Sequence, residues 1–235
     1  MRGCLTVILV AVLAIFGLVW FKGPSVAATV IQVGLGAFGW SAETETVTVD
    51  ANPPYIVLMG RADKVRIVAT GVEVRGVRAR AVTVTVGTVR LFDRTFATFS
   101  GRLTGAVVSD GSGNDLTVAR IDLSGTGAAL KVSLHLASGE VTNQVQRAIE
   151  NASGATLSGI TLSAPNVVVI ALAGQTITAH LVIDSGRLVL RGAGDALGDP
   201  VLFDPSGSGF KLTGVAMAGG EVVLTGTLDP GSLIP

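Results

Sequence analysis

AALKVSLHLASGEVTNQVQRAIENASG, residues 128–154, changes its hydrophobic period in mid-course, and the change decides the fold class. Over residues 128–136, Leu130, Val132, Leu134 and Leu136 alternate with Lys131, Ser133 and His135, the two-residue repeat of a strand with one buried and one wet face. From Ser138 on, the apolar residues fall at Val141, Val145, Ala148, Ile149 and Ala152, which is helical spacing. Ser138 reads as the N-cap, Glu140 as a first-turn acid and Gly154 as the C-cap.

The two-residue period dominates on either side of this stretch. Residues 64–70, 77–86, 176–183 and 221–228 are runs of Val, Ile, Leu and Thr bounded by Gly, Asp, Asn, Ser and Pro, the pattern of antiparallel strands. The run NVVVIALA, residues 166–173, is apolar at nearly every position and predicts a strand covered on both faces. No low-complexity linker interrupts residues 42–235. These elements predict an α+β domain with a curved antiparallel sheet and one amphipathic helix across it.

Composition bounds what such a domain does. Hydrophobic residues make up 49% and charged residues 14%, with mean hydropathy +0.62, so the chain has ample apolar surface for a core. Seventeen basic residues balance seventeen acidic ones, leaving no global field to attract nucleic acid. The single cysteine, Cys4, excludes an internal disulfide and every multi-cysteine metal site.

The segment GCLTVILVAVLAIFGLVWF, residues 3–21, is uncharged between Arg2 and Lys22, and as a helix rising about 1.5 Å per residue it nearly matches the roughly 30 Å bilayer core. Small residues follow at Ser25, Val26, Ala27 and Ala28. Residues 1–24 are therefore a transmembrane anchor or a signal peptide, and residues 25–235 the domain, outside the cytoplasm. Residues 25–40 read as a second apolar helix or a continuation of the first. The literal G-x-G-x-x-G at Gly34, Gly36 and Gly39 lacks the preceding strand and following helix that dinucleotide binding needs.

Chemistry-bearing residues are sparse. His135 and His180 both fall on polar strand faces, and no nucleophile elbow, metalloprotease motif or P-loop occurs. The stretch from Asp110 to Asp115 alternates oxygen ligands but lacks the glycine and glutamate positions of a calcium loop. Catalytic, cofactor and metal residues are thus expected to be none. Charge is uneven, however: residues 61–102 hold nine basic side chains against three acidic ones. Lys64 and Arg66 share one strand face, as do Arg78 and Arg80. With Arg61 they form either a solvated sheet face or a surface for anionic headgroups.

The order of features resembles the LmeA-like phospholipid-binding family of bacterial envelope proteins. The resemblance lies in VTVDANPPYIVLMGRADKVRIVATGVEVRGVRARAVTVTVGTVRL (residues 47–91), DLSGTGAALKVSLHLASGEVTNQVQRAIENASGATLSGITL (122–162) and GRLVLRG (186–192). It implies a highly curved antiparallel β-sheet wrapping one long amphipathic helix, preceded by an N-terminal apolar helix, similar to the tubular lipid-binding folds. It further implies a non-enzymatic protein that binds, and in one version transfers, phospholipid or glycolipid. Its place would be the extracytoplasmic face of the plasma membrane, or the periplasm and envelope if the N-terminus is cleaved. The headgroup would lie near Arg61, Lys64, Arg66, Arg78 or Arg80. The competing reading is a structural or assembly protein of the envelope that docks a protein partner through its sheet.

Overall fold

The computed structural model describes residues 28–29, 31–32, 40–74, 77–90, 92–93, 95–109, 115–154, 157–172, 174–192, 198–205 and 210–228. The described chain forms β1 (Thr44–Asp50), a 3₁₀ helix (Pro54–Met59), β2 (Arg61–Val74), β3 (Val77–Arg90), β4 (Thr95–Ser109), β5 (Asp115–Thr126), β6 (Ala129–Ala137) and α1 (Ser138–Ser153). After α1 come β7 (Leu157–Ser163), β8 (Val167–Leu172), β9 (Gln175–Asp184), β10 (Arg187–Arg191), β11 (Val201–Phe203), β12 (Phe210–Ala218) and β13 (Glu221–Leu228). The strands make two antiparallel sheets, one of eight strands in the order β1-β2-β3-β4-β5-β6-β13-β12 and one of five in the order β11-β10-β9-β8-β7.

This architecture corrects the expected fold class. The protein is mostly β, its helix has only 16 residues, and no sheet wraps it. A 16-residue helix is about 24 Å long. The 14- and 15-residue strands β2, β3 and β4 run about 45–50 Å, so one helical stripe covers only part of their apolar face. The second sheet covers much of the remainder. Helix α1 links the sheets and touches β6, β7, β11 and β13, burying Val141, Val145 and Ile149. Met217 N–H donates to Pro165 O at 2.8 Å and stitches β12 to the smaller sheet.

The expected N-terminal apolar helix is also not found among the described residues, where helical backbone ahead of the sheet is confined to residues 28, 29, 31 and 32. No described helix is long and apolar enough to cross a membrane. The expected anchor or signal peptide at residues 1–24, the glycine motif at 34–39 and most of the 110–115 loop lie outside the described residues.

Local predictions fared unevenly. The helix spans Ser138–Ser153 and ends at Gly154 in the left-handed region at φ 66°, but Ala137 occupies the N-cap and offers no side-chain cap. Strand β8 buries Val168 and Ile170 completely while Val167 and Val169 stay half-buried, so its second face is only partly covered.

The large sheet bends along two lines. On β2, β3, β4 and β5 the inward residues step by three instead of two at Ala69–Val72, Ala79–Val82, Leu103–Ala106 and Val118–Ile121. Between them lie Gly71 and Gly105, both at φ 58°, which provide backbone conformations that side chains rarely adopt. A second line crosses β2, β3 and β4 at Ala62–Val65, Val86–Val89 and Phe96–Phe99, where Thr88 has φ 51°. Such bulges add twist and bend a sheet, so the long strands curl toward one apolar side.

Candidate lipid-binding face

The curled side carries two buried clusters. The larger lies between the sheets and includes the α1 stripe, with Val168, Ile170, Leu181 and Leu190 from the smaller sheet. The other consists of Val49, Ala62, Val65 and Ile67 on β1 and β2, and no described apolar residue of the smaller sheet packs on it. It is met instead by Ala28, Ile31 and Trp40 from the N-terminal side and by Val57 of the 3₁₀ helix.

Strand register extends this second cluster into an apolar strip. One row across the sheet runs Val49, Val65, Val86, Phe99, Gly125, Leu130 and Leu228; the next runs Val47, Ile67, Val84, Gly101, Leu123 and Val132. Neither row contains a charged or polar side chain. Val86, Phe96, Phe99, Leu103 and Leu123 are half-buried, and the Phe96 and Phe99 rings stand 6.0 Å apart. From Ala62 to Ala69 the strip is about 23 Å long at about 3.3 Å per residue, more than the roughly 15 Å depth of one leaflet's hydrocarbon. Such a face suits acyl chains, each buried methylene contributing about 0.8 kcal/mol.

One carboxylate borders the strip. Glu45 on edge strand β1 accepts a hydrogen bond from Trp40 Nε1 at 2.8 Å through Oε2, while its Oε1 is buried without a partner.

All five predicted basic residues, Arg61, Lys64, Arg66, Arg78 and Arg80, are exposed, but the structure divides them. Antiparallel pairing sets Arg61 opposite Arg90 at the end of the sheet that holds the 3₁₀ helix, and Arg66 opposite Thr85, five residues further along β2. Arg80 lies five residues from Thr85 along β3, about 16 Å away. Arg78 pairs with Asp115 at 3.5 Å, and Arg80 lies over the α-carbon of Gly105 in a surface hollow of about 420 Å³ that Gly71 and Glu73 also line. Arg61, Lys64, Arg66 and Arg90 make no ion pair with any described carboxylate. Sequence reasoning did not place Arg90 beside Arg61, and the strand register does.

The outward face carries the densest set of titratable groups. Arg102 Nε donates to Asp122 at 2.7 Å and Arg120 Nε at 2.8 Å, while His135 lies 3.4 Å from Asp122 and 3.2 Å from Glu221. His135 is therefore not the freely exposed strand histidine expected; its side chain is 16% exposed. His180 is exposed as expected. Burial pushes the Asp122 carboxyl up, but hydrogen bonds and charge from Arg102 with charge and a hydrogen bond from Arg120 outweigh it and hold Asp122 below the usual carboxylate range. A depressed folded value contributes stability that is present above the unfolded value, near 3.9, and lost as pH falls through the folded one. The melting-temperature advantage of the wild type over Asp122→Asn is thus expected to shrink on acidification below about pH 4. An advantage unchanged down to about pH 2 would dissociate Asp122 from acid stability.

Among the described residues no group of three or more His, Cys, Asp or Glu side chains is placed to hold a metal ion.

The family described as LmeA-like phospholipid-binding matches residues 13–227, nearly the whole chain. No curated protein matches, and no solved structure does.

Proposed function

Because the chain belongs to the LmeA-like phospholipid-binding family, we propose that it holds a phospholipid or related amphiphile with its tails along the apolar strip of the large sheet. The headgroup lies at the end of the strip, within reach of Arg61 and Arg90, whereas Lys64 and Arg66 alternate with the inward Val65 and Ile67 and project from the other face of the sheet. Arg78 and Arg80 stand too far along β3 to share that headgroup. The protein acts by binding rather than by catalysis, at the extracytoplasmic face of the bacterial membrane, with the apolar residues 3–21 as its membrane attachment.

The observation that carries this reading is the second cluster with its half-buried extension over β3, β4 and β5. Two rows of apolar side chains without a polar group cross the sheet, running from Val132 in the larger cluster to Val49, Val65 and Ile67, on which no described apolar residue of the smaller sheet packs. A site of that kind is the usual form for an amphiphile: mostly apolar walls with a few polar groups at one end.

The test is organic extraction and native mass spectrometry of the full chain, comparing wild type with a Val86→Trp/Leu123→Trp double variant. The wild type is expected to carry stoichiometric phospholipid, and the variant to lose most of it while retaining its melting temperature. A folded double variant that keeps its lipid would remove the strip from the account. Wild-type protein that neither co-purifies with lipid nor takes it up from vesicles would overturn lipid binding itself. In that outcome, protection of edge-strand amides by a protein would favour the assembly reading.

A further inference from the structure

Six large hydrophobic side chains are exposed among the described residues, and four of them, Tyr55, Leu58, Met59 and Phe92, lie at one end of the large sheet. Leu58 is 62% exposed, Met59 58% and Phe92 78%. The sequence brings them together through two adjacent turns. The 3₁₀ helix between β1 and β2 turns Val57 into the second cluster and leaves Leu58 and Met59 outside. It stops at Gly60, left-handed at φ 67°, whose N–H donates to Val57 O at 2.9 Å. Gly60 has a second role: a Cβ there would stand 2.8 Å from the Phe92 ring, so Phe92, from the turn between β3 and β4, rests on the bare α-carbon. Single exposed apolar residues need no explanation, but a cluster on neighbouring turns marks a contact surface.

The charge around the cluster identifies what it contacts. Arg61 and Arg90 stand directly opposite each other across β2 and β3, an arrangement that costs stability unless an anion lies between or near them. Neither pairs with a described carboxylate. Of the acids nearby, Asp63 is engaged by the Asn52 N–H at 2.7 Å, while Asp50 faces Lys64 across the strand pair and Asp93 follows Phe92. A protruding apolar tip flanked by cations complements a bilayer with anionic headgroups: the tip enters the acyl boundary and the arginines stay among the phosphates.

We propose that this tip, with Leu58, Met59 and Phe92 at its apex, dips into the membrane surface and is the port through which lipid passes between bilayer and strip. The port function rests on the lipid-binding reading above; the membrane contact stands without it. The path is continuous: Ala62, Val89 and Phe96 form the row of the strip nearest the tip, and Val65, Val86 and Phe99 form the next. A tail leaving the bilayer there stays in apolar contact.

The test uses the full chain with Cys4→Ser, reconstituted in vesicles of phosphatidylcholine and phosphatidylglycerol in equal parts. An environment-sensitive fluorophore is placed on Phe92→Cys or, at the other end of β3, on Arg78→Cys, and acyl-brominated phospholipid is added as quencher. Quenching at position 92 is expected to be at least roughly twofold, since interfacial side chains lie about 5–10 Å into the acyl boundary, with none at position 78. Leu58→Ser/Met59→Ser in the Phe92→Cys background is expected to abolish it. Equal quenching at both positions, or none at position 92, overturns the proposal. Emission that instead shifts with protein concentration in lipid-free detergent also overturns it, in favour of a second copy on the tip. Lipid extraction from the same protein before reconstitution separates the two readings: an unquenched tip on lipid-loaded protein refutes the port and leaves the strip standing, whereas an unquenched, lipid-free protein refutes both.

Discussion

Ile149→Asp is expected to prevent folding altogether, and Ile149→Ala to lower stability by about 2–5 kcal/mol. Ile149 is fully buried, as is Val145, and with Val141 they form the single stripe that α1 contributes to the core. That stripe meets both sheets at once, since α1 touches β6 and β13 of the larger and β7 and β11 of the smaller. A cavity at Ile149 therefore opens between layers that have little other means of closing on it. A carboxylate there has to lose its hydration without a partner, a cost several times larger than the cavity. For a chain of this size the alanine variant should melt roughly 5–15 °C below wild type. Arg147→Ala, on the exposed side of the same helix, should stay within about 0.5 kcal/mol of wild type. Equal melting temperatures for Ile149→Ala and wild type would mean that the helix does not hold the sheets together.

The helix was legible because its evidence is local. Val141, Val145 and Ile149 recur within one segment, and Gly154 marks its end, so residues 138–154 contain their own signal. The cap was misread for an equally local reason: Ser138 and Ala137 are adjacent, and either places the same apolar stripe inward. What the sequence could not disclose is pairing between distant strands. β6 pairs with β13, whose partners are some ninety residues further on, and that pairing leaves β7 to β11 to form a second sheet.

The candidate site was hidden by a related effect. Arg61, Lys64, Arg66, Arg78 and Arg80 look like one basic stretch along the chain, but the β2–β3 hairpin doubles back, so Arg61 meets Arg90 and leaves Arg78 and Arg80 far away. The apolar strip was obscured because a strict two-residue period breaks at each bend. Phe96, Phe99, Val86 and Val89 share the inward face only when a step of three is allowed, and the signals for that step are a glycine or threonine beside it, as at Gly87 and Thr88. Exposure of Leu58, Met59 and Phe92 was not readable at all, since apolar residues in turns are as often buried beneath them.

Gly125→Val is expected to break the β5–β6 hairpin and the proposed lipid strip together. Gly125 sits at φ 156° on the strip between Phe99 and Leu130. A Cβ there collides with the Ala129 carbonyl oxygen and stands 3.0 Å from the Leu130 α-carbon. Both are backbone atoms of the paired strand, so no side-chain rotation relieves the contact and the ladder itself has to shift. Overpacking of a core side chain usually costs about 1–3 kcal/mol, and a collision with backbone in the middle of an eight-stranded sheet should reach or exceed that range. Gly159→Ala is the matched control: a Cβ at Gly159 meets nothing within 4 Å, so its effect should stay within about 0.5 kcal/mol. Denaturant midpoints of the two variants would settle the stability arm. For function, the sharper comparison is Gly125→Ala, the smallest intrusion at that point. If Gly125→Ala folds, the shift of the Ala129–Leu130 backbone that relieves the contact displaces Leu130 and Phe99 from their places on the strip. Its bound phospholipid should then fall well below the wild-type amount. Full lipid occupancy in a folded Gly125→Ala protein would show that the tails rest on β1 to β4 alone, confining the site to the half of the strip beside Trp40 and the 3₁₀ helix.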